Sequence, residues 1–130
     1  MKIKSTSKRV IDSHGVIDFK IFKLTNVMNN YLPDLVIMGS CGGHVNSKER
    51  DGQLPSGEFG VSFWIKPTKR GFKSLELVTR AAMETDYRNI KVMAWINGFE
   101  ENGILAFDLE GKNNADPNKM ADILFFYVKK

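Results

Sequence analysis

The chain has 130 residues, 42% of them hydrophobic and 26% charged, and its 19 basic and 15 acidic side chains give a formal net charge of +4. The length predicts one domain, the composition excludes wholesale disorder, and the charge agrees with a phosphate-rich partner without requiring one. The single cysteine excludes an internal disulfide, and the absence of a long apolar run or a signal-peptide segment leads us to expect a cytoplasmic protein without membrane contact.

The predicted elements are strands and one helix. Residues 1–14 contain four cations and little periodicity, which predicts a basic arm or an edge strand ahead of a single domain over 15–130. Apolar alternation predicts strands over 15–24, 35–40, 59–67, 89–98, 104–111 and, at the end, 121–130. The segment 72–84 repeats at helical spacing, with Phe72, Leu75, Val78 and Ala82 on one stripe. Turn-forming residues predict a break over 25–34 and a long loop over 41–58.

The order of these elements resembles that of the OB-fold, a small five-stranded barrel whose helix lies between the third and fourth strands. The resemblance covers most of residues 15–111 and rests on element order and length, since the chain carries no signature motif of the family. It implies a mainly β domain with one helix, built as an OB-like barrel in the order β-β-β-α-β-β with a further C-terminal strand. A mixed sheet with one covering helix fits the same order.

Three predicted strands place an aromatic side chain and a lysine on the face opposite their aliphatic residues. In "VSFWIKP" (61–67), for example, Trp64 faces away from the side on which Val61 and Ile65 lie. The three pairs are Lys20 with Phe22, Trp64 with Lys66, and Lys91 with Trp95. The segment after Trp64 adds Lys69 and Arg70, and the long loop adds Lys48 and Arg50.

Surfaces that bind single-stranded nucleic acid combine aromatic rings that stack on bases with cations that contact phosphates. Together with the barrel-like order, the pattern resembles single-stranded DNA-binding proteins of phage or mobile-element type, although the chain ends in two lysines and lacks the acidic tail of the bacterial members. We therefore predict binding of single-stranded nucleic acid, chiefly DNA, with little sequence specificity and no catalytic step. The predicted stacking residues are Phe22, Trp64 and Trp95, the phosphate contacts are Lys20, Lys66, Lys69, Arg70 and Lys91, and a closing loop carries Lys48 and Arg50.

Other functions stay open at this point. The same aromatic residues could anchor a protein partner, as in a small virus- or plasmid-encoded inhibitor of a host factor. A homo-oligomer is also compatible with the sequence. The turn Gly39–Gly43 resembles phosphate-binding turns of nucleotide-binding proteins, but only one helix is predicted, so the glycines are better explained as a bend or bulge in a strand.

Catalytic and metal-binding patterns are weak. Cys41 and His44 form only half of a zinc motif, and Asp108 and Glu110 share one strand face without further carboxylates. We therefore predict no metal, no cofactor and no enzymatic activity.

Overall fold

The computed structural model describes residues 4–5, 9–12, 15–43, 54–95 and 105–129. In chain order the elements are β1 (Lys4–Ser5), β2 (Arg9–Asp12), β3 (Gly15–Asp18), a 3₁₀ turn (Phe19–Ile21), α1 (Phe22–Tyr31), β4 (Leu35–Cys41), β5 (Phe59–Ile65), α2 (Lys69–Asp86), β6 (Ile90–Trp95), β7 (Leu105–Gly111) and α3 (Pro117–Lys129). Strands β1 to β3 form a small antiparallel sheet, and strands β4 to β7 form the antiparallel main sheet in the order β4-β5-β7-β6.

The predicted five-stranded OB-like barrel is wrong. Within the described ranges the main sheet has four strands and is open, with β4 and β6 at its two edges, and three helices accompany it. The predictions for β4, β5, α2, β6 and β7 are confirmed in position, but two segments predicted as strand are helical. Residues 22–24 begin α1, which continues through the predicted break, and the terminal segment forms α3.

Burial explains both of these helices. In α1 the buried residues Leu24, Val27 and Met28 follow one another at intervals of three and one, and in α3 Ala121 and Leu124 are three apart. Such spacing places apolar side chains on one side of a helix, whereas a strand would alternate them between two sides. The β-branched and aromatic residues of both segments favour strand locally, but the burial of a helical face against the sheet decides the outcome.

The core lies on one face of the main sheet. Along β5, Phe59, Val61, Phe63 and Ile65 are all buried and the residues between them are partly exposed. Phe107 and Leu109 of β7 and the buried apolar residues of all three helices belong to the same cluster. The helices therefore cover one side of the sheet, and the residues between the buried ones in β5 face the other side. No helix among the described residues is long and apolar enough to cross a membrane.

Helix α2 begins earlier than predicted, and three residues of its predicted core stripe are confirmed: Val78 and Ala82 are buried, and Leu75 packs against the core. Its buried residues are Gly71, Ser74, Val78, Ala81, Ala82 and Thr85. Phe72, predicted to belong to the core stripe, is 50% exposed because the buried face passes through its neighbour Gly71 instead. The helix is capped by Thr68, whose hydroxyl accepts from Gly71 N at 3.0 Å and donates to Asp34 Oδ2 at 2.6 Å, which ties the start of α2 to the turn before β4.

The glycines of the Gly39–Gly43 turn have structural roles. The register between β4 and β5 shifts between Ile37 and Gly39, so the predicted bulge is confirmed there. At Gly43, φ is +92° and an added Cβ would lie 2.5 Å from the carbonyl oxygen of Glu58, so the chain passes too close to the 55–58 turn for a side chain.

Candidate nucleic-acid interface

The face of the main sheet that points away from the core carries three rows of residues that run across the four strands. The first row is Val36, Trp64, Ala106 and position 95, the second is Gly39, Ser62, Asp108 and Met93, and the third is Cys41, Gly60, Glu110 and Lys91. We name this surface the open face. The helices bury their apolar side chains in the cluster on the other side of the sheet, so among the described residues no helix packs on the open face.

The first row contains Trp64, one of the predicted stacking residues. Trp64 is partly exposed and stands opposite Val36 on one side and Ala106 on the other. The register pairs Trp95 with Ala106, so both tryptophan positions belong to one row with a single strand between them. Strands lie about 4.8 Å apart, which separates the two positions by about 10 Å.

Exposed cations continue this end of the sheet into α2. They are Lys66, Lys69, Arg70 and Lys73, and we name them the basic start of α2. Lys66 lies two residues after Trp64, and its N–H donates to the carbonyl oxygen of Asp34 at 3.0 Å. The extended pairing therefore continues as far as Lys66 and places it on the same face as Trp64. Lys73 is paired with Glu76 at 3.2 Å, whereas the other three cations have no ion pair among the described residues.

The position of these cations is electrostatically unfavourable within the chain itself. The N-terminal end of a helix carries a partial positive charge, so acidic side chains are normally preferred there. The first turn of α2 contains no acidic residue and instead begins with Lys69 and Arg70. An anionic ligand would therefore meet the side-chain charges and the helix dipole together.

The second and third rows form a recess beside Trp64. Gly39 and Gly60 carry no side chains, and the bulge at Gly39 leaves nothing within 4 Å of where its Cβ would be. The resulting cavity of about 320 Å³ is lined by Gly39, Ser40, Cys41, Leu54, Gly60, Val61, Ser62, Asp108, Leu109 and Glu110. Within it the Ser62 hydroxyl donates to Asp108 Oδ1 at 2.5 Å, so the carboxylate is held in place on the open face.

Two of the predicted binding residues lie away from the open face, and their predicted placement on a shared strand face is wrong. Phe22 is the first residue of α1 and packs, partly buried, against the core cluster, so it is not beside Trp64. Lys20 lies in the 3₁₀ turn, and its Nζ donates to the carbonyl oxygen of Gly43 at 3.2 Å. Both errors follow from the predicted strand over 15–24, which would have placed their side chains on a shared sheet face.

The remaining predicted residues divide into three groups. Trp64, Lys66, Lys69, Arg70 and Lys91 lie on or next to the open face, and Trp95 belongs to it by register. Lys48, Arg50 and His44 lie outside the described residues. Cys41 is partly exposed at the edge of the recess, where its Sγ accepts from Leu54 N at 3.3 Å, and no group of three potential metal ligands occurs among the described residues.

The recess could not be predicted from the sequence. Alternation puts Ser62 on the same strand face as Trp64 and puts Asp108 on one strand face with Glu110, but it does not show that these two faces adjoin. Their contact depends on the pairing of β5 with β7, which are separated by α2 and β6 along the chain. The chain matches no family model, no curated protein and no solved structure.

Proposed function

We propose that the protein binds single-stranded nucleic acid across the open face, with Trp64 stacking on a base and the basic start of α2 contacting phosphates. The observation that carries this proposal is the position of Lys66, Lys69 and Arg70, which are exposed, lack ion-pair partners among the described residues and directly follow the strand that presents Trp64. Aromatic rings and backbone-tracking cations at one end of a surface are the two components that single-strand binding uses.

The charge distribution of the open face favours one placement of the bound strand, with its phosphates and its bases over different parts of the sheet. Glu110 and Lys91 are opposite each other in the third row, and Asp108 lies in the second row, so negative charge is concentrated away from the basic start of α2. Phosphates are therefore favoured at the end of the sheet that carries Trp64 and are disfavoured over the recess. The strand would run with its backbone along the cations and its bases over the first two rows.

A protein-binding module is the second candidate, and the helical side of the molecule favours it. Met83, Tyr87 and Phe126 are 67%, 69% and 59% exposed on α2, just after it and on α3. Large apolar side chains of this kind serve as interface anchors. Binding there would leave the open face free, so the two functions are separable by mutation.

The salt dependence of binding tests the proposed function. A fluorescein-labelled 15-nucleotide DNA of mixed sequence is titrated with the protein at 50–300 mM NaCl, and anisotropy gives the Kd. Three phosphate contacts, from Lys66, Lys69 and Arg70, predict a slope of log K against log salt of about −2, since each contact on a single strand contributes about −0.7.

A charge-matched pair of double variants locates the contact. Lys69→Ala with Arg70→Ala should reduce the magnitude of the slope by about 1.4, because two contacts are lost. Lys112→Ala with Lys119→Ala removes two exposed cations away from the Trp64 end of the sheet and should leave the slope near that of the unmodified protein. Absence of binding at 50 mM NaCl, or equal slopes for the two double variants, would refute the proposed function.

A further inference from the structure

Asp108 is an unexpected residue on a surface that binds a polyanion. It occupies the centre of the open face, between Ser62 of β5 and Met93 of β6. A phosphate at this point would be repelled, so a nucleic-acid strand gains nothing by placing its backbone over the second row. The carboxylate is suited instead to a neutral group that donates a hydrogen bond.

The geometry of the recess shows which part of Asp108 is available. The Ser62 hydroxyl donates to Oδ1 at 2.5 Å, which fixes the orientation of the carboxylate. Oδ2 has no hydrogen-bond partner among the described residues, and Asp108 lines the recess of about 320 Å³ that the missing side chain of Gly39 leaves open. An ionised carboxylate accepts hydrogen bonds and cannot donate one, so the recess selects for a donor.

Trp64 lies close enough to hold such a donor over the recess. Trp64 pairs with Ala106, and Asp108 is two residues further along the same strand, so the two side chains are diagonal neighbours. Diagonal neighbours of this kind are about 7–8 Å apart, which is within the reach of an aromatic ring and of a base stacked on it. A base on Trp64 can therefore direct its hydrogen-bonding edge at Asp108.

We propose that Asp108, held by Ser62, accepts a hydrogen bond from the exocyclic amino group of the base that stacks on Trp64. Cytosine offers such an amino group at N4, a donor that Asp and Glu recognise in other settings, whereas thymine has a carbonyl oxygen at the corresponding position. Asp108 thus gives an otherwise sequence-tolerant surface a preference for cytosine over thymine at one position. The inference rests on the proposed function, because it needs a strand bound across the open face.

Competition between two homopolymers tests the inference. Labelled oligo(dC) and oligo(dT) of 15 nucleotides are titrated at pH 7.5 and 50 mM NaCl, where cytosine is neutral. The unmodified protein should bind oligo(dC) about tenfold more tightly, the effect of one hydrogen bond to a charged acceptor. Asp108→Asn should abolish this ratio and tighten oligo(dT), because its amide can donate to the thymine carbonyl, and Ser62→Ala should reduce the ratio by releasing the carboxylate.

The control is Asp122→Asn, which removes one negative charge from exposed α3 and should change both affinities equally. Thermal melting confirms that each variant is folded before its affinities are compared. Equal binding of the two homopolymers by the unmodified protein would overturn the inference and leave the proposed function standing. A cytosine preference that persists in both Asp108→Asn and Ser62→Ala would also overturn it. Failure of both homopolymers to bind would refute the proposed function itself.

Discussion

Two glycines of the main sheet have opposite steric surroundings, and they connect the packing of the core with the shape of the open face. At Gly111 an added Cβ would lie 2.0 Å from Cε2 of Phe59, whose ring is buried against the strand. At Gly39 an added Cβ would meet no atom within 4 Å. The first glycine is required by the core, and the second keeps the recess open.

We predict that Gly111→Ala lowers the free energy of unfolding by about 1–3 kcal/mol, because the Phe59 ring must leave its place. Gly39→Ala is the matched control and should leave stability unchanged or raise it by about 0.5 kcal/mol through the reduced entropy of the unfolded chain. Urea unfolding followed by circular dichroism measures both. Equal stabilities of the two variants would contradict the packing of Phe59 over Gly111.

Residue-level prediction from the sequence succeeded where alternation was regular. Trp64 was predicted to face away from the core, and the regular burial pattern of β5 confirms it. A similar pattern predicted a strand position for Phe22, and this placement is wrong, because the strand gives way to a 3₁₀ turn at Phe19–Ile21 and a helix begins at Phe22. Asp108 was visible as a strand residue, but its bond to Ser62 depends on a strand pairing that no local pattern shows.

Among the elements, α3 shows that tertiary packing overrides the local preference of the sequence for a strand. The sequence of α3 is apolar and aromatic and therefore predicted a strand. Two of its residues, Leu124 and Phe126, nevertheless differ sharply in exposure, at 0% and 59%. Residues two apart share a face in a strand and lie on different sides of a helix. The burial of Leu124 against the core, with Met120 one turn earlier, is the contact that selects the helix.

The difference in exposure between Leu124 and Phe126 allows α3 to be tested by mutation. Leu124→Ala should lower the free energy of unfolding by about 2–5 kcal/mol, as expected for truncation of a core leucine. Phe126→Ala should change it by about 1 kcal/mol or less, because the ring is largely exposed. Thermal and urea unfolding of both variants provide the measurement. Similar losses at the two positions would indicate a strand-like arrangement and would contradict α3.

For the whole molecule, the sheet order determines which residues meet on the open face. Pairing β5 with β7 rather than with β6 places Asp108 and Glu110 at the centre of the open face and Trp64 beside Ala106. This pairing joins strands that α2 and β6 separate along the chain, so neither alternation nor turn composition predicts it. The sequence could therefore predict which residues face away from the core, but not which of them meet.

The one-sided placement of the helices has a second consequence. The apolar core residues of α1, α2 and α3 belong to one cluster on one face, so no helix in the described part of the chain covers the other face. A ligand on that face would meet the partly exposed Trp64. We propose that Trp64 contributes to binding and not chiefly to the core.

The decisive measurement of this role of Trp64 is the affinity of Trp64→Ala for a 15-nucleotide single-stranded DNA. We predict binding about 5- to 150-fold weaker than that of the unmodified protein, which corresponds to the loss of one base–aromatic stack of about 1–3 kcal/mol, while the free energy of unfolding falls by at most about 2 kcal/mol. Phe126→Ala, an exposed aromatic on the helical side, should leave the affinity unchanged. If Trp64→Ala binds with unaltered affinity and loses about 3–5 kcal/mol of stability, as expected for a core aromatic, Trp64 is a core residue and has no role in binding.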